Sequence, residues 1–219
     1  MKNNQSLNII IILAALGMPL VYLASVYSFL PDTVPTHFNL EGKADGFGEK
    51  STLIFTTILL DVVGLSCYFL MKFLPQIDPK KSAGQSPVFL NKIGLVLVVF
   101  MGILNMIILQ SAVNSSFNGT KFILPLMSLL FVFMGNYMHT IKPNYFAGFR
   151  TPWALEDPDN WRATHLLAGK IWVIGGLVAA ILSLVLPSVA GWIVFTAITV
   201  IISIVPFIFS YRYYKKHQS

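Results

Sequence analysis

Asp61 is a carboxylate near the middle of a long apolar stretch, about ten residues after that stretch begins. A charged carboxylate at the centre of a bilayer costs at least a few kcal/mol unless it is paired, protonated or hydrated. We therefore expect Asp61 to face a bundle interior or a cavity. Two interpretations stay open. Asp61 either contacts a ligand, proton or peptide, or it is a buried polar tie to Asn105, Gln110 or Asn136.

A second group of reactive side chains lies in the polar segment 31–50, which reads PDTVPTHFNLEGKADGFGEK. Its histidine, amide and carboxylates are His37, Asn39, Glu41, Asp45 and Glu49. Histidine beside carboxylates can bind a divalent metal, but the spacing matches no motif such as His-Glu-x-x-His, and we assign no metal ligand. Prolines stiffen the start of the segment and glycines permit tight turns. A folded loop packed over helix ends and an exterior recognition surface both fit this composition.

A third group lies in the segment 140–165, which reads TIKPNYFAGFRTPWALEDPDNWRATH. It combines amide, glycine, arginine, hydroxyl, proline, indole and imidazole groups: Asn144, Gly148, Arg150, Thr151, Pro152, Trp153, Trp161, Thr164 and His165. The guanidinium of Arg150 suits a carboxylate or phosphate, and Glu156, Asp157 and Asp159 are nearby acidic partners. Trp and Arg also favour the headgroup region of a membrane. A shaped recognition loop and an interfacial anchor therefore both remain possible.

The sequence contains no recognisable catalytic arrangement. It has no phosphate-binding glycine-rich loop, no Gly-x-Ser-x-Gly turn and no histidine pair at metal-binding spacing. We predict no enzyme activity and no cofactor, although His139 and His165 flank one segment and could meet in space.

The apolar stretches between these segments indicate an all-α integral membrane protein. Hydrophobic residues make up 55% of the 219 residues and charged residues only 11%, whereas soluble domains carry about a quarter. Six stretches are long enough to cross a bilayer as helices: 7–30, 51–71, 93–113, 122–139, 166–186 and 189–211. Their continuous apolarity excludes the alternation of a membrane barrel. We expect the first stretch to be an uncleaved span rather than a signal peptide, and the protein to be a multi-pass cell-membrane protein.

The basic residues predict that both termini are cytoplasmic. In that orientation twelve of the 15 basic residues face the cytoplasm, and the other three face outward. Short loops rich in Lys and Arg stay inside. The inward set is Lys2, Lys72, Lys80, Lys81, Lys92, Lys142, Arg150, Arg162, Lys170, Arg212, Lys215 and Lys216, and the outward set is Lys43, Lys50 and Lys121. The segment 31–50 is then exterior and 140–165 interior. Because the basic residues lie between the spans, we expect no direct nucleic-acid partner.

Two parts of the chain resemble known families. The segment 135–172 resembles the SdpI family, with every position of its pattern present: Gly135, Asn136, Asn144, Gly148, Arg150, Thr151, Pro152, Trp153, Trp161, Thr164 and His165. The front resembles a companion domain of unknown function often fused before it, through 34–39 followed by Gly42, Asp45, Gly46 and Lys50. The resemblances predict a two-helix unit (1–74), a cytoplasmic linker (75–92), an SdpI-like region (93–186), and a last span with a basic tail (187–219).

The resemblance implies a bacterial immunity and signalling protein. Such a protein binds a secreted peptide toxin and holds a cytoplasmic transcriptional repressor at the membrane. Membrane lipid, the peptide and the repressor are then the expected partners. The outer loop, with His37, Asn39 and Asp45, and the outer ends of the helices would bind the peptide. Asp61 would be the polar hinge through which peptide binding shifts the helix packing, and the inner loop would bind the repressor. Two alternatives remain: a small transporter of an amphiphilic substrate, which Asp61 would suit, and a membrane enzyme that uses histidines.

Overall fold

The computed structural model describes residues 2–78 and 85–217, with side chains from residue 5 onward. Six long helices and one short helix make up most of it, in agreement with the predicted all-α membrane fold. In chain order they are α1 (Lys2–Val26), α2 (Ser51–Ile77), α3 (Pro87–Val113), α4 (Thr120–Met138), α5 (Pro152–Glu156), α6 (Pro158–Val185) and α7 (Ser188–His217).

All six long helices are apolar and long enough to cross a membrane. They coincide with the six predicted spans, which confirms a multi-pass membrane protein. Several helices extend beyond the apolar stretches. α6 begins eight residues before the predicted span, with Pro158 in its first turn and the Asp157 side chain accepting from the Asp159 N–H at 2.9 Å. Proline and an Asp cap favour a helix start, so the helix begins in the polar loop. The cytoplasmic placement of both termini remains a prediction.

A β-hairpin follows α1 and was not predicted as strands. Strand β1 (Thr33–Phe38) pairs antiparallel with β2 (Ala44–Glu49), and the register shifts around His37. At the turn, Asn39 Oδ1 accepts from the backbone N–H groups of Glu41 and Lys43, each at 3.0 Å. Gly42 adopts a φ of 81°, which favours glycine. The segment 31–50 is therefore folded, which agrees with the interpretation of this segment as a folded loop.

The chain divides into two compact units. Unit 1 contains Met1–Phe73 and Ser86–Ile123, and unit 2 contains Leu74–Gln85 and Leu124–Ser219. The core of unit 1 joins the hairpin to its helices through Leu23, Leu30, Val34, Leu53 and Leu109, all buried. The hairpin is thus part of the packed unit and not a loose connector.

Unit 2 is built on close helix contacts. The α4 and α6 backbones approach at two glycines, because a Cβ on Gly169 would lie 2.8 Å from the Gly135 carbonyl oxygen. Leu124, Ala179 and Phe195 form a buried apolar cluster between α4, α6 and α7. The glycine contact holds α4 to α6 close to the end of α4 that leads into the segment 140–165, and the apolar cluster holds the opposite ends of the helices together.

The predicted domain limits at 74, 92 and 186 remain a prediction. Part of the predicted linker 75–92, including Lys80 and Lys81, lies outside the described residues. Its two ends are helical, in α2 as far as Ile77 and in α3 from Pro87.

Candidate functional site

The segment 140–165, here called the signature loop, belongs to unit 2 and is folded around buried polar side chains. Asn144, which is 3% exposed, shapes its first part. Its Oδ1 accepts from the backbone N–H groups of Phe146 and Ala147 at 2.8 and 2.7 Å. Its Nδ2 donates to the carbonyl oxygens of Lys142 and Ala147 at 2.8 and 3.2 Å. Asn144 therefore organises the loop from within and is not available to a ligand.

His165 on α6 holds the middle of the signature loop. Nδ1 lies 2.8 Å from the Trp161 carbonyl oxygen, and Nε2 accepts from the Phe149 backbone N–H at 3.1 Å. These partners require a neutral ring protonated on Nδ1. Gly148 has a φ of 100°, and a Cβ there would lie 2.3 Å from His165 Nε2. Position 148 therefore requires glycine both for its backbone conformation and for space.

Trp161 is 2% exposed, and its indole stacks on His165 with ring centroids 4.0 Å apart. Its Nε1 donates to the Ile141 carbonyl oxygen at 2.7 Å, which ties the start of the loop to α6. An interfacial anchor would be partly exposed. For Trp161, the buried position supports a structural role within the folded loop.

The end of the signature loop is tied to α7 by Ser210. The Ser210 hydroxyl donates to Asn160 Oδ1 at 2.8 Å and accepts from Trp153 Nε1 at 2.8 Å. Thr151 Oγ1 lies 2.9 Å from Ser210 Oγ and accepts from the Ala154 N–H at 3.2 Å, so its own hydroxyl hydrogen goes to Ser210. Every hydrogen-bonding position of the Ser210 hydroxyl is thereby used.

Asn160 completes this network. Its Nδ2 donates to the Ser210 carbonyl oxygen at 3.0 Å, and its Oδ1 also accepts from Thr164 Oγ1 at 3.0 Å. Asn160, Thr164 and Ser210 are all fully buried. Sequence reasoning found Thr151, Trp153 and Thr164 but missed Asn160 and Ser210. A serine inside the apolar last span was the available signal for the latter, although one hydroxyl in a span has many explanations.

Arg150 lies on the outside of the signature loop, beside two exposed aromatic side chains. Its Nη1 donates to the Tyr145 carbonyl oxygen, and Tyr145 and Phe146 are 45% and 38% exposed. Within the described residues it makes no ion pair with Glu156, Asp157 or Asp159, although their proximity in sequence suggested one. Exposed Pro152 follows in the first turn of α5. Arg150, Tyr145 and Phe146 are here called the loop face.

The hairpin in unit 1 holds the other predicted site residues. His37 Nδ1 and Asp45 Oδ1 form an exposed pair, and Lys43 Nζ lies 2.8 Å from Glu41 Oε2. The Lys43 ammonium lowers the pKa of Glu41 through a hydrogen bond and its charge. Asn39 only closes the turn. The described residues contain no group of three or more His, Cys, Asp or Glu side chains that could hold a metal.

A small cavity of about 210 Å³ lies in unit 1, bordered by the hairpin and the adjoining helix ends. Its lining alternates hydroxyl and apolar side chains: Pro35, Thr36, Phe38, Thr52, Leu53, Thr56, Ile108, Ser111 and Ile123. Asn118 Nδ2 donates to the Glu41 carbonyl oxygen at 3.2 Å and holds the hairpin turn to the α3–α4 connection. The hairpin is therefore fixed beside an accessible, mainly apolar cavity.

Asp61 is 8% exposed, as the free-energy cost of a lipid-facing carboxylate predicts. The side chain of Asn105 lies beside its carboxyl, while Asp61 Oδ1 has no hydrogen-bond partner among the described residues. Asn105 also makes two hydrogen bonds with Thr57, each at 3.3 Å. Its Oδ1 accepts from the Thr57 hydroxyl, and its Nδ2 donates to the Thr57 carbonyl oxygen. Gln110, another of the three predicted partners of Asp61, instead accepts from the Tyr22 hydroxyl at 2.6 Å.

Two models of protein families match parts of this chain. The SdpI/YfhL protein family model matches residues 140–210, from the signature loop to Ser210. The resemblance to the SdpI family is confirmed. A domain of unknown function, DUF1648, matches residues 10–60, which include the hairpin.

The matched segment contains the hydrogen bonds that His165 and Ser210 make within the signature loop. Outside that segment, Gln85 donates to the Thr140 carbonyl oxygen at 3.2 Å and accepts from the Lys142 N–H at 2.9 Å. Immunity protein SdpI of Bacillus subtilis (strain 168) is 26% identical over 204 residues, which cover 90% of this chain and 92% of that protein. No solved structure matches the chain.

Proposed function

We propose that this chain is a bacterial membrane immunity protein that binds a secreted, membrane-active peptide and holds a cytoplasmic regulator. The observation that carries the proposal is similarity along nearly the whole length of both chains to a protein named for immunity. The signature loop supports a binding role. Its buried polar groups hold the loop in one shape, and its exposed groups, which form the loop face, are left accessible to a partner.

The peptide binds at the hairpin of unit 1 in this proposal. Leu40 and Phe47 on the hairpin are 53% and 62% exposed, and His37 pairs with Asp45 beside them. Apolar side chains next to a polar pair suit an amphipathic peptide. The cavity of about 210 Å³ takes one apolar side chain of that peptide, with the threonine and serine hydroxyls available to its backbone.

The regulator binds at the loop face. Arginine and tyrosine are enriched among residues that dominate protein interfaces, and here the folded loop presents both without further ordering. Peptide binding changes regulator binding only if the peptide has unequal affinity for two states of the protein. Asp61 is our candidate for the polar group that differs between those states.

Survival of a sensitive bacterium tests the immunity proposal. Wild-type protein should protect against the peptide and retain labelled peptide at the membrane without exporting it. His37→Ala and Thr56→Phe should weaken protection, since the first removes the polar pair and the second fills the cavity. Thr33→Phe adds the same ring on the exposed strand away from the cavity and should protect like wild type. Absence of protection at equal membrane levels of protein would overturn the proposal.

Binding of the regulator is tested separately. Arg150→Ala should abolish retention of the repressor at the membrane while membrane insertion stays normal. Arg162→Ala removes an equal charge from an exposed position on α6 and should have no effect. Unchanged retention in Arg150→Ala would disprove the assignment of the loop face.

Proton-coupled transport is a second candidate, favoured by the buried Asp61 oxygen without a partner. In that case protection would require the proton gradient, labelled peptide would leave the cell, and Asp61→Ala would remove both effects. Retention of peptide after the gradient is dissipated would exclude this function.

A further inference from the structure

Three polar side chains on the surface of unit 2 lie around one groove and take no part in the signature-loop network. They are Asn136 at the end of α4, His139 just after it, and Lys170 on α6, all exposed. Among the described residues none of the three side chains has a hydrogen-bond or ion-pair partner. Asn136 belongs to the Gly-Asn pair of the family pattern, and the folded loop does not explain it.

The groove is a defined feature of the fold. It has a volume of about 440 Å³, within the range of small-molecule sites. Its floor is the close α4–α6 contact at Gly135 and Gly169. Its wall is apolar, with Leu166 and Ile174 43% and 63% exposed. A narrow apolar floor with polar groups at one end suits an amphiphile.

The depth of Lys170 places these polar groups at the membrane boundary. Lys170 lies fifteen residues before the end of α6 at Val185, which is about 22 Å at 1.5 Å per residue. The hydrocarbon core is about 30 Å thick. The Lys170 backbone therefore lies inside the core, close to its edge, and its long side chain extends to the headgroup level. His139 and Asn136 lie at the corresponding end of α4.

The charge at this end selects the ligand. The groove is lined by one lysine and one histidine and by no carboxylate. All three polar side chains can donate hydrogen bonds to a phosphate. We propose that the groove binds one anionic phospholipid from the adjacent leaflet, with its phosphate at Lys170, His139 and Asn136. One acyl chain lies along Val173 and Ile174, which follow Lys170 on α6 toward the interior of the membrane.

Native mass spectrometry of the full-length protein tests this site. The detergent-solubilised protein is equilibrated with equal amounts of phosphatidylglycerol and phosphatidylcholine that carry the same acyl chains. Wild type should retain phosphatidylglycerol preferentially. Lys170→Gln should lower that preference about fivefold, which corresponds to about 1 kcal/mol for one basic residue near a membrane surface. Lys170 is exposed, so the variant should fold normally.

A matched control separates the groove from general surface charge. Arg162→Gln removes one charge from the same helix outside the groove and should keep the wild-type preference. Equal retention of both lipids by wild type, or an equal loss in both variants, would overturn the proposal. Displacement of the lipid by excess inorganic phosphate would also overturn it, because the acyl chain should hold the lipid in place. A dimer that Lys170→Gln dissociates would instead identify the groove as a subunit interface.

Discussion

The signature loop and the hairpin are both polar segments between spans, yet their polar side chains have different roles. The loop is fixed by neutral, buried hydrogen bonds in which Ser210 and His165 have all their partners. The hairpin carries exposed charge pairs, such as Lys43 with Glu41, whose side chains are 78% and 55% exposed. Exposed pairs contribute little stability and are screened by salt. The hairpin's polar groups thus remain accessible to a ligand, whereas most of those in the loop determine its shape.

The most direct way to break this comparison is to show that both segments face the same side of the membrane. In a Cys67→Ser background, Lys43→Cys on the hairpin should react completely with a membrane-impermeant maleimide in intact cells. Glu156→Cys in the signature loop should react only after lysis, because the basic residues predict that it is cytoplasmic. Equal labelling of both positions in intact cells would reverse the assigned sides.

The next largest effect should come from the glycine in the signature loop. Gly148→Ala places a Cβ on His165 and forces a positive φ on alanine, which should destabilise the folded protein by about 3 kcal/mol. Thermal unfolding in detergent would measure the change. Gly17→Ala is the control, since nothing lies within 4 Å of its added Cβ. Equal stability of both variants would contradict the described loop packing.

Loss of the Ser210 hydroxyl should have a somewhat smaller effect. Ser210→Ala leaves Asn160 Oδ1, Trp153 Nε1 and the Thr151 hydroxyl without their shared partner, at a cost of about 2 kcal/mol. Limited proteolysis should then cleave the loop faster. Thr199→Ala, on the same helix, removes one bond to the carbonyl four residues earlier and should change little. Matching proteolysis of the two variants would show that Ser210 does not hold the loop.

The smallest effect concerns the hairpin charges. Because Lys43 lowers the pKa of Glu41, the pair is formed at neutral pH and is lost as the pH falls through that lowered pKa. Lys43→Gln should return the Glu41 pKa toward its ordinary value without measurable change in protein stability. Carboxyl carbon chemical shifts followed by NMR during a pH titration would detect this. An unchanged Glu41 pKa would mean that the pair does not persist in solution.

Sequence patterns predicted the spans because a helix that crosses the hydrocarbon core needs about 20 predominantly apolar residues. The free-energy cost of exposing a carboxylate to lipid predicted that Asp61 is buried. This prediction did not depend on which residue is the partner of Asp61. The sequence left three possible partners for Asp61, of which Asn105 is the one beside its carboxyl. The rotation of each helix decides which amide faces the carboxylate, and the sequence does not show that rotation.

The long-range contacts were not predictable. Ser210 is separated from Asn160 by 50 residues, and no local pattern links a serine in the last span to an asparagine before the fifth. The hairpin was missed as strands because its glycines and prolines are typical of irregular loops. In both places the structure depends on partners distant in sequence, whose identity no single segment contains.

The position of Ser210 also sets an order of assembly during synthesis. The ribosome produces the signature loop long before the last helix, so the loop's terminal hydrogen bonds have no partner until that helix has been made and inserted. A nascent chain that stalls before Ser210 would lack the hydrogen bonds that hold Thr151 and Trp153 at the end of the signature loop. If a regulator binds next to this part of the loop, as we propose, its binding would be reserved for chains whose final span is already in the bilayer.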